Sequence, residues 1–580
     1  MSNETAAPES PPTVEDLPPD VREKVKKEVA EYEVELKEQY RREDDKKVIQ
    51  KKKSSFRQKL IERELADENK DESELREEEH MLISTNLALS LLFLAVFTIF
   101  ALLAADKMET YASGFSRFFV KNFSWFYMLI STGSLIFLAY LALSRFGAVV
   151  LGDPDDEPEF DDLSWYAMLF SAGMGVGLMF WGVAEPLRHF INPPIGVAKT
   201  AEAARWSMIY SAFHWGLHGW GIYTLCAVGV AYYGFRKRKK YLLSSSIVDV
   251  TDNPYLRKGL KIASDLCSTL AVVFGVACSL GMGVQQIAGG LKHVWKLEAA
   301  TTSGYLIIMS IITVLYMLSA TTGLDKGIKW LSNINVAVAI CLLAFVFICG
   351  PSLFQLKIFV DTIGQYLNEL FSLSFKIAPF TPTYETWMGD WTLLFFTWWI
   401  AWGPFVGIFV ARISRGRTIR EVITGALLMP TVFSILWFSV FGGAALHLEM
   451  FGPADLGLAT LAKADLTVSF YSLLQQFPLY QATAAISIFL LFTFLITSAD
   501  SACFTIAMMT TEGDLDPSTT TKTMWGLILS GLTMILLLGG GLTAIQACVL
   551  AFAFPFSLVM ILVAISVLVR LSLHVKKRRI

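Results

Sequence analysis

From about residue 83 to 571 the chain is a succession of apolar runs of ~20 residues, each long enough to cross a hydrocarbon layer of ~30 Å. Lipid offers no partner for an exposed backbone N–H or C=O, so a chain can cross it only as helices or as a closed barrel. Runs of this length are helical, because a membrane strand needs only about half as many residues. An all-α membrane protein is therefore expected. The composition agrees: 54% of residues are hydrophobic, whereas soluble domains lie near about 45–50%. The seven cysteines, at 226, 267, 278, 341, 349, 503 and 548, lie within or at the edges of apolar runs. None has metal-ligand spacing, so neither a zinc site nor a disulfide framework is expected. The N-terminus lacks a basic stretch followed by an apolar core, so no cleavable signal peptide is expected.

Twelve spans are predicted, at 84–106, 124–145, 163–184, 205–233, 262–290, 302–321, 331–351, 387–412, 423–446, 477–508, 523–541 and 543–571. Residues 1–82 read as a charged N-terminal segment, 83–571 as the membrane core and 572–580 as a short basic tail. Residues 1–20 are rich in proline and acid, a composition that resists folding. Val25, Val29, Tyr32, Leu36 and Tyr40 then recur every three or four residues, which predicts a helix with a thin apolar stripe. Such a helix is either a regulatory or oligomerising element or simply solvated, and its high charge favours the second reading. Leu353, Phe354, Leu356, Ile358, Phe359 and Ile363 predict an amphipathic helix over 352–375, lying at the surface.

Basic clusters set the orientation. Arg236–Lys240 follow the fourth span, Arg412, Arg415, Arg417 and Arg420 the eighth, and Lys576–Arg579 the twelfth. With twelve spans all three fall on one side, which is read as cytoplasmic, with both termini there and the protein in the cytoplasmic (inner) membrane. The acidic run from Asp153 to Asp162 falls on the same side, but acidic residues weigh little in this rule. Spans 3–7 and 8–12 make two sets of five, at about 163–351 and 387–571. An odd number per set inverts the second against the first. This five-plus-five inverted repeat resembles the leucine-transporter architecture.

Each set opens on a span that reads as broken. One is Ser171-Ala172-Gly173-Met174-Gly175-Val176-Gly177; the other is Trp398-Trp399-Ile400-Ala401-Trp402-Gly403-Pro404-Phe405. Glycine and Gly-Pro unwind a helix and free backbone groups, which a membrane tolerates only beside a cavity or site. Paired breaks in two halves point to a transporter's substrate site. Free N–H groups suit a carboxylate and free carbonyls a cation. The alternative, a small-residue face for helix packing, is weakened by the matched pair.

Trp398, Trp399 and Trp402 crowd the second break, and Trp215, Trp220 and Tyr223 lie in the fourth span. Tryptophan usually marks the membrane interface. Clustered in mid-span beside a break, these rings instead suggest a cage for a quaternary ammonium, held by cation–π attraction. The central parts of the third, fourth and eighth spans contain no Asp or Glu. Thr497-Ser498-Ala499-Asp500-Ser501 offers hydroxyl oxygens suited to a small hard cation, or else hydroxyls bonded back to their own helix. His214 and His218 have metal-compatible i, i+4 spacing, but without a third ligand nearby helix–helix hydrogen bonding is favoured. No clustered nucleophiles or paired carboxylates suggest an enzyme.

The glycine string Gly173–Gly177, Phe213-His214-Trp215 with Trp220 and Tyr223, Trp398-Trp399 with Trp402, the run Ala411–Arg417 and Thr497–Ser501 together resemble the betaine/choline/carnitine transporter family over about residues 84–571. Its sodium-coupled glycine betaine carriers look most similar. The resemblance implies a homotrimer and a solute site of Trp215, Trp220, Tyr223, Trp398, Trp399 and Trp402, with Gly173, Met174, Gly175 and Gly177 receiving the carboxylate. It also implies a Na⁺ site of the Ser171, Met174 and Phe494 carbonyls with Thr497 and Ser498. Ser171 stands where Ala is usual, and Ala401 where Ser is frequent. Two threonines of a second ion site are matched by Val272 and Val276, which have no oxygen to give. The long basic C-terminal helix of osmosensing members is not matched. The implied function is import of a zwitterionic methylated solute coupled to Na⁺. Glycine betaine leads, with ectoine, proline betaine or dimethylsulfoniopropionate close behind. A sodium-independent betaine/carnitine exchanger and a choline importer are the alternatives, and no nucleic-acid partner is expected.

Overall fold

A computed structural model describes residues 84–577 apart from 174, 323–324 and 454–455, together with 22–23, 25–30 and 32–33. The chain divides into two units, Met1–Ser84 and Thr85–Ile580. In the first, the described residues are helical, with Val25 and Val29 buried and Lys26, Lys27 and Ala30 exposed, as the stripe predicts. Leu36 and Tyr40, like residues 1–20 and the last three of the basic tail, lie outside the described residues.

The second unit is built of helices, and among the described residues the only β-pairing is one bridge between Val150 and Thr418. Among the described residues, ten helices are long and apolar enough to cross a membrane. They include α1 (Thr85–Leu103), α2 (Met108–Leu143), α7 (Pro254–Trp295), α8 (Thr302–Ala320), α9 (Leu331–Cys349), α11 (Pro382–Arg412), α12 (Ile419–Phe451), α15 (Tyr480–Thr510), α16 (Thr519–Gly541) and α17 (Thr543–Leu573). The predicted third and fourth spans each consist of two shorter helices: α3 (Asp162–Gly173) with α4 (Val176–Ile191), and α5 (Ala201–Trp215) with α6 (Leu217–Ala231). The remaining helices are α10 (Ser352–Ser374), α13 (Leu458–Ala464) and α14 (Ser469–Leu474).

Local chemistry explains several helix starts. Asn253 Oδ1 accepts from the N–H groups of Tyr255 and Leu256, and Pro254 occupies the first turn of α7, where its missing N–H costs nothing. Thr418 and Glu421 form a reciprocal capping box that starts α12. Helix α10 forms as expected, but its exposed face is mixed: Lys357, Asp361 and Asn368 are exposed beside several apolar residues. Gln355 and Tyr366 are buried while Leu353, Leu356, Val360, Leu367 and Phe371 are exposed.

The acidic run is packed against the basic clusters. Arg417 pairs with Asp162 at 2.8 Å, Arg415 with Asp156 at 3.5 Å and Arg238 with Asp153 at 3.3 Å. Arg236 donates to the Gly152 carbonyl at 2.7 Å. The loops after α2, α6 and α11 therefore share one side of the bundle. Asp161 accepts from Ser164, and these hydrogen bonds hold its carboxyl below the usual carboxylate range.

Two expectations about breaks are corrected. The eighth span does not open at Gly403-Pro404: helix runs unbroken from Leu394 to Arg412, and the irregularity in α11 is a π-turn upstream, at Gly389–Leu393. The glycines serve close packing instead. A Cβ on Gly407 would lie 2.4 Å from Cys226 Cβ, and one on Gly403 would lie 3.1 Å from the Phe556 ring. Their absence lets α6 and α11 meet in the most extensive helix contact of the molecule. The break that was not expected is at Gly216, between α5 and α6, where φ is −100° and ψ −139°. The Tyr366 hydroxyl of α10 accepts the Leu217 N–H at 3.1 Å, replacing a helical bond. A Cβ at Gly216 would lie 2.8 Å from that hydroxyl.

Candidate functional site

The third span does break inside its glycine string. Helix α3 ends at Gly173, Gly175 is extended and α4 begins at Val176. Neighbouring side chains fix the start of α4. The Trp437 indole donates to the Leu178 carbonyl and Gln286 to the Met179 carbonyl, both at 3.0 Å. Pro186 lies within α4, and Gly442 of α12 packs on its ring, where a Cβ would come within 2.6 Å.

A cavity of about 190 Å³ opens at this break. Gly175 and Gly177 line it, with Trp215 of α5, Tyr223 of α6, and Trp398, Trp399 and Trp402 of α11. The rings form one continuous wall. Trp215 meets Trp398 edge-on at 5.9 Å and Trp399 at 5.6 Å, and Trp399 meets Tyr223 at 5.0 Å. Gly177 is a floor that only glycine can supply: a Cβ there would lie 2.7 Å from Trp215 and 2.8 Å from Trp398. Trp220 is not on the lining. It is fully buried behind Tyr223 and Trp399, at 5.6 and 6.1 Å. Gly173 is the last residue of α3, and Met174 lies outside the described residues.

Phe494, Thr497 and Ser498 of α15 line the same cavity. The Thr497 hydroxyl donates back to the Thr493 carbonyl at 3.0 Å and the Phe494 carbonyl at 3.2 Å, as the alternative reading of this motif holds. Its oxygen keeps lone pairs for a further partner. Ser171 is in the last turn of α3, with a helical backbone. Val276 is on the lining and Val272 is buried in the same helix.

The sequence reading missed several lining groups, including Phe405, Ser279, Ser332 and Asn335. Asn335 is buried, with no hydrogen-bond partner at either end of its amide. A polar side chain inside an apolar span was the available signal.

The histidines behave as helix–helix bridges. Because the chain breaks at Gly216, His214 and His218 do not converge. His218 meets Ser374 Oγ at 3.0 Å, and His214 meets Thr392 Oγ1 at 2.9 Å. One point needs correction: a third ligand-type group, and a fourth, do lie near His214. Glu185, one residue past the predicted third span, and His189 form a buried cluster with it. Glu185 Oε1 is 2.6 Å from His214 Nδ1 and 3.2 Å from His189 Nε2, and Oε2 accepts the Trp215 indole N–H at 2.8 Å. A direct 2.6 Å hydrogen bond leaves no room for an ion between the two atoms, so the cluster is a hydrogen-bonded network. It reaches a second cage ring, because the His214 carbonyl accepts the Trp399 indole N–H at 2.8 Å. The indole N–H groups of Trp398 and Trp402 have no protein partner.

The cavity can thus take a small solute with an apolar, positively charged head. Rings supply the wall, and among the described residues no carboxylate is on the lining. Known proteins agree with this geometry. The family model described as BCCT, betaine/carnitine/choline family transporter, matches residues 86–576. The glycine betaine transporter OpuD of Bacillus subtilis (strain 168) is 39% identical over 84% of this chain and 93% of its own. The ectoine/hydroxyectoine transporter of Virgibacillus pantothenticus is 39% identical over 78% and 89%. A glycine betaine transporter of Acinetobacter baylyi is 37% identical over 82% and 72%. With the family model matching residues 86–576 and relatives 37–39% identical over most of their length, this chain belongs to the betaine/carnitine/choline family of transporters.

Proposed function

We propose that this protein is a secondary importer of a zwitterionic methylated compatible solute, glycine betaine foremost, driven by Na⁺. The observation that carries it is the meeting of Trp215, Tyr223, Trp398, Trp399 and Trp402 on one cavity beside the unwound segment of the third span. The rings take the quaternary head. The free backbone of the break and the unpartnered indole N–H groups of Trp398 and Trp402 are donors for the carboxylate. Relatives named for glycine betaine and for ectoine/hydroxyectoine transport support this solute class. Among the described lining residues a net cation such as choline would meet no carboxylate, whereas a zwitterion brings its own.

In this reading the ten long helices and the two broken pairs make twelve crossings, arranged as an inverted five-plus-five repeat. The paired loops after the second, fourth and eighth crossings face the cytoplasm, with both termini, and three copies assemble in the cell membrane. Na⁺ is the co-transported ion. Its ligands are the Ser171, Met174 and Phe494 carbonyls with the Thr497 and Ser498 hydroxyls, hard oxygens that suit it. Uptake of labelled glycine betaine into cells lacking their own carriers, with Na⁺ replaced by K⁺, tests the whole proposal. Na⁺-dependent uptake, poorly inhibited by excess choline, is expected. Uptake indifferent to Na⁺ would favour an exchanger, and strong choline uptake would overturn the solute assignment.

A further inference from the structure

Glu185 is outside the cavity lining, yet it reaches a cage ring directly through a hydrogen bond. Three N–H groups converge on it. The Trp215 indole can only donate, so Oε2 accepts. On Oε1, His214 Nδ1 and His189 Nε2 both lie within hydrogen-bond distance. As donors they leave His214 Nε2 free to accept from the Thr392 hydroxyl, and they leave the unpartnered His189 Nδ1 as a bare acceptor instead of an orphaned N–H. With all three groups donating, both carboxylate oxygens are acceptors and Glu185 needs no proton of its own to complete the network.

From this geometry we propose that Glu185 is a positioning and charge-supplying residue of the solute site, setting both the orientation and the electron richness of Trp215. The orienting part is direct: one carboxylate oxygen pins the Trp215 indole, and the other pins His214, whose carbonyl pins Trp399. The electrostatic part follows from the placement of the charge. An acceptor on the indole N–H pushes electron density into the ring, which strengthens its attraction for a cation on its face. A negative charge in a low-dielectric interior also acts over the thickness of a ring with little screening. Trp215 thereby presents a richer π-face to the quaternary head, while Glu185 stays behind the ring and offers the solute no direct ion pair. Trp398 and Trp402, whose N–H groups have no protein partner, have no such backing. This inference rests on the cage reading given above.

The test compares two solutes of the same shape: glycine betaine and 3,3-dimethylbutanoate, in which carbon replaces the cationic nitrogen. Binding to the purified full-length protein is read from tryptophan fluorescence and from competition. In Glu185→Gln, which keeps side-chain size and one acceptor, betaine affinity should fall about tenfold, a modest share of an interior charge interaction. Affinity for the neutral-headed acid should change less than about twofold, so that discrimination between the two collapses. A loss that strikes both solutes equally, or no loss at all, overturns the proposal. If Glu185→Gln does not fold, the benzothiophene analogue of tryptophan incorporated at position 215 removes only the N–H. It should lower the betaine preference several-fold, and an unchanged preference overturns the idea. Failure of the cage reading looks different: the unaltered protein would then fail to prefer betaine over its carbon analogue.

Discussion

Two segments of this protein carry the same helix-breaking chemistry and fold differently. Around Gly173–Gly177 the helix opens, and the freed backbone lies beside the cavity. Around Gly403-Pro404 it stays closed, although proline leaves the Ile400 carbonyl without its usual N–H partner. The difference lies in what surrounds each segment. Cys226 of α6 fills the space a side chain at Gly407 would need, and the Phe556 ring crowds the one at Gly403. Packing energy along that contact outweighs one lost hydrogen bond. Gly175 has nothing within 4 Å of where a Cβ would stand, so no neighbour enforces a helix there. Glycine and proline permit a break; the neighbours decide whether it happens.

The sharpest way to break this comparison is inside the glycine string itself. Gly177→Val should abolish solute binding, because its side chain would occupy the space of the Trp215 and Trp398 rings, while Gly175→Ala should bind nearly as the native protein does. Equal effects at the two positions, measured by solute-induced tryptophan fluorescence, would contradict the assigned floor of the cage. Next in size, Trp402→Leu should weaken affinity about 30-fold, the loss of a desolvated cation–π contact of ~2 kcal/mol. Unchanged affinity in a folded variant would remove Trp402 from the cage. Gly407→Leu probes the closed segment. It should cost ~1–3 kcal/mol of stability by overpacking against Cys226, seen in thermal unfolding in detergent, and leave the affinity of the folded fraction intact. A selective loss of affinity would instead make that segment part of the site. Ser498→Ala should raise the Na⁺ concentration needed for uptake several-fold, with a Hill coefficient near one, since Val272 and Val276 offer no oxygen for a second ion. A coefficient near two would show that other groups hold a second ion. The smallest effect belongs to Pro404→Ala, which restores the missing helical N–H. Slightly higher stability and transport within about a factor of two are expected if the helix is closed throughout. A large transport defect would mean that a local opening at Pro404 is used during the cycle.

Much of the membrane bundle was legible because hydropathy and length are properties of the chain alone: ten predicted spans reappear as long apolar helices. So was the membership of the aromatic wall at five of six positions, since mid-span tryptophan is costly without a role. Trp220 was the exception. From the sequence it cannot be told from Tyr223, three residues on, yet the turn of α6 puts one behind the other. The break at Gly216 was illegible because it depends on the Tyr366 hydroxyl arriving from α10, 149 residues away. Glu185 was passed over because it lies one residue beyond a predicted span. Its own helix sets His189 beside it, but only folding brings it to His214 and Trp215. By itself the sequence determined that this is a helical membrane protein and that aromatic residues gather at one helix break, because a lipid solvent leaves a chain few choices. The tertiary structure alone decided which glycines open a helix and which let two helices touch, and where the one buried carboxylate behind the cage would point. Those outcomes depend on contacts between residues far apart in the chain.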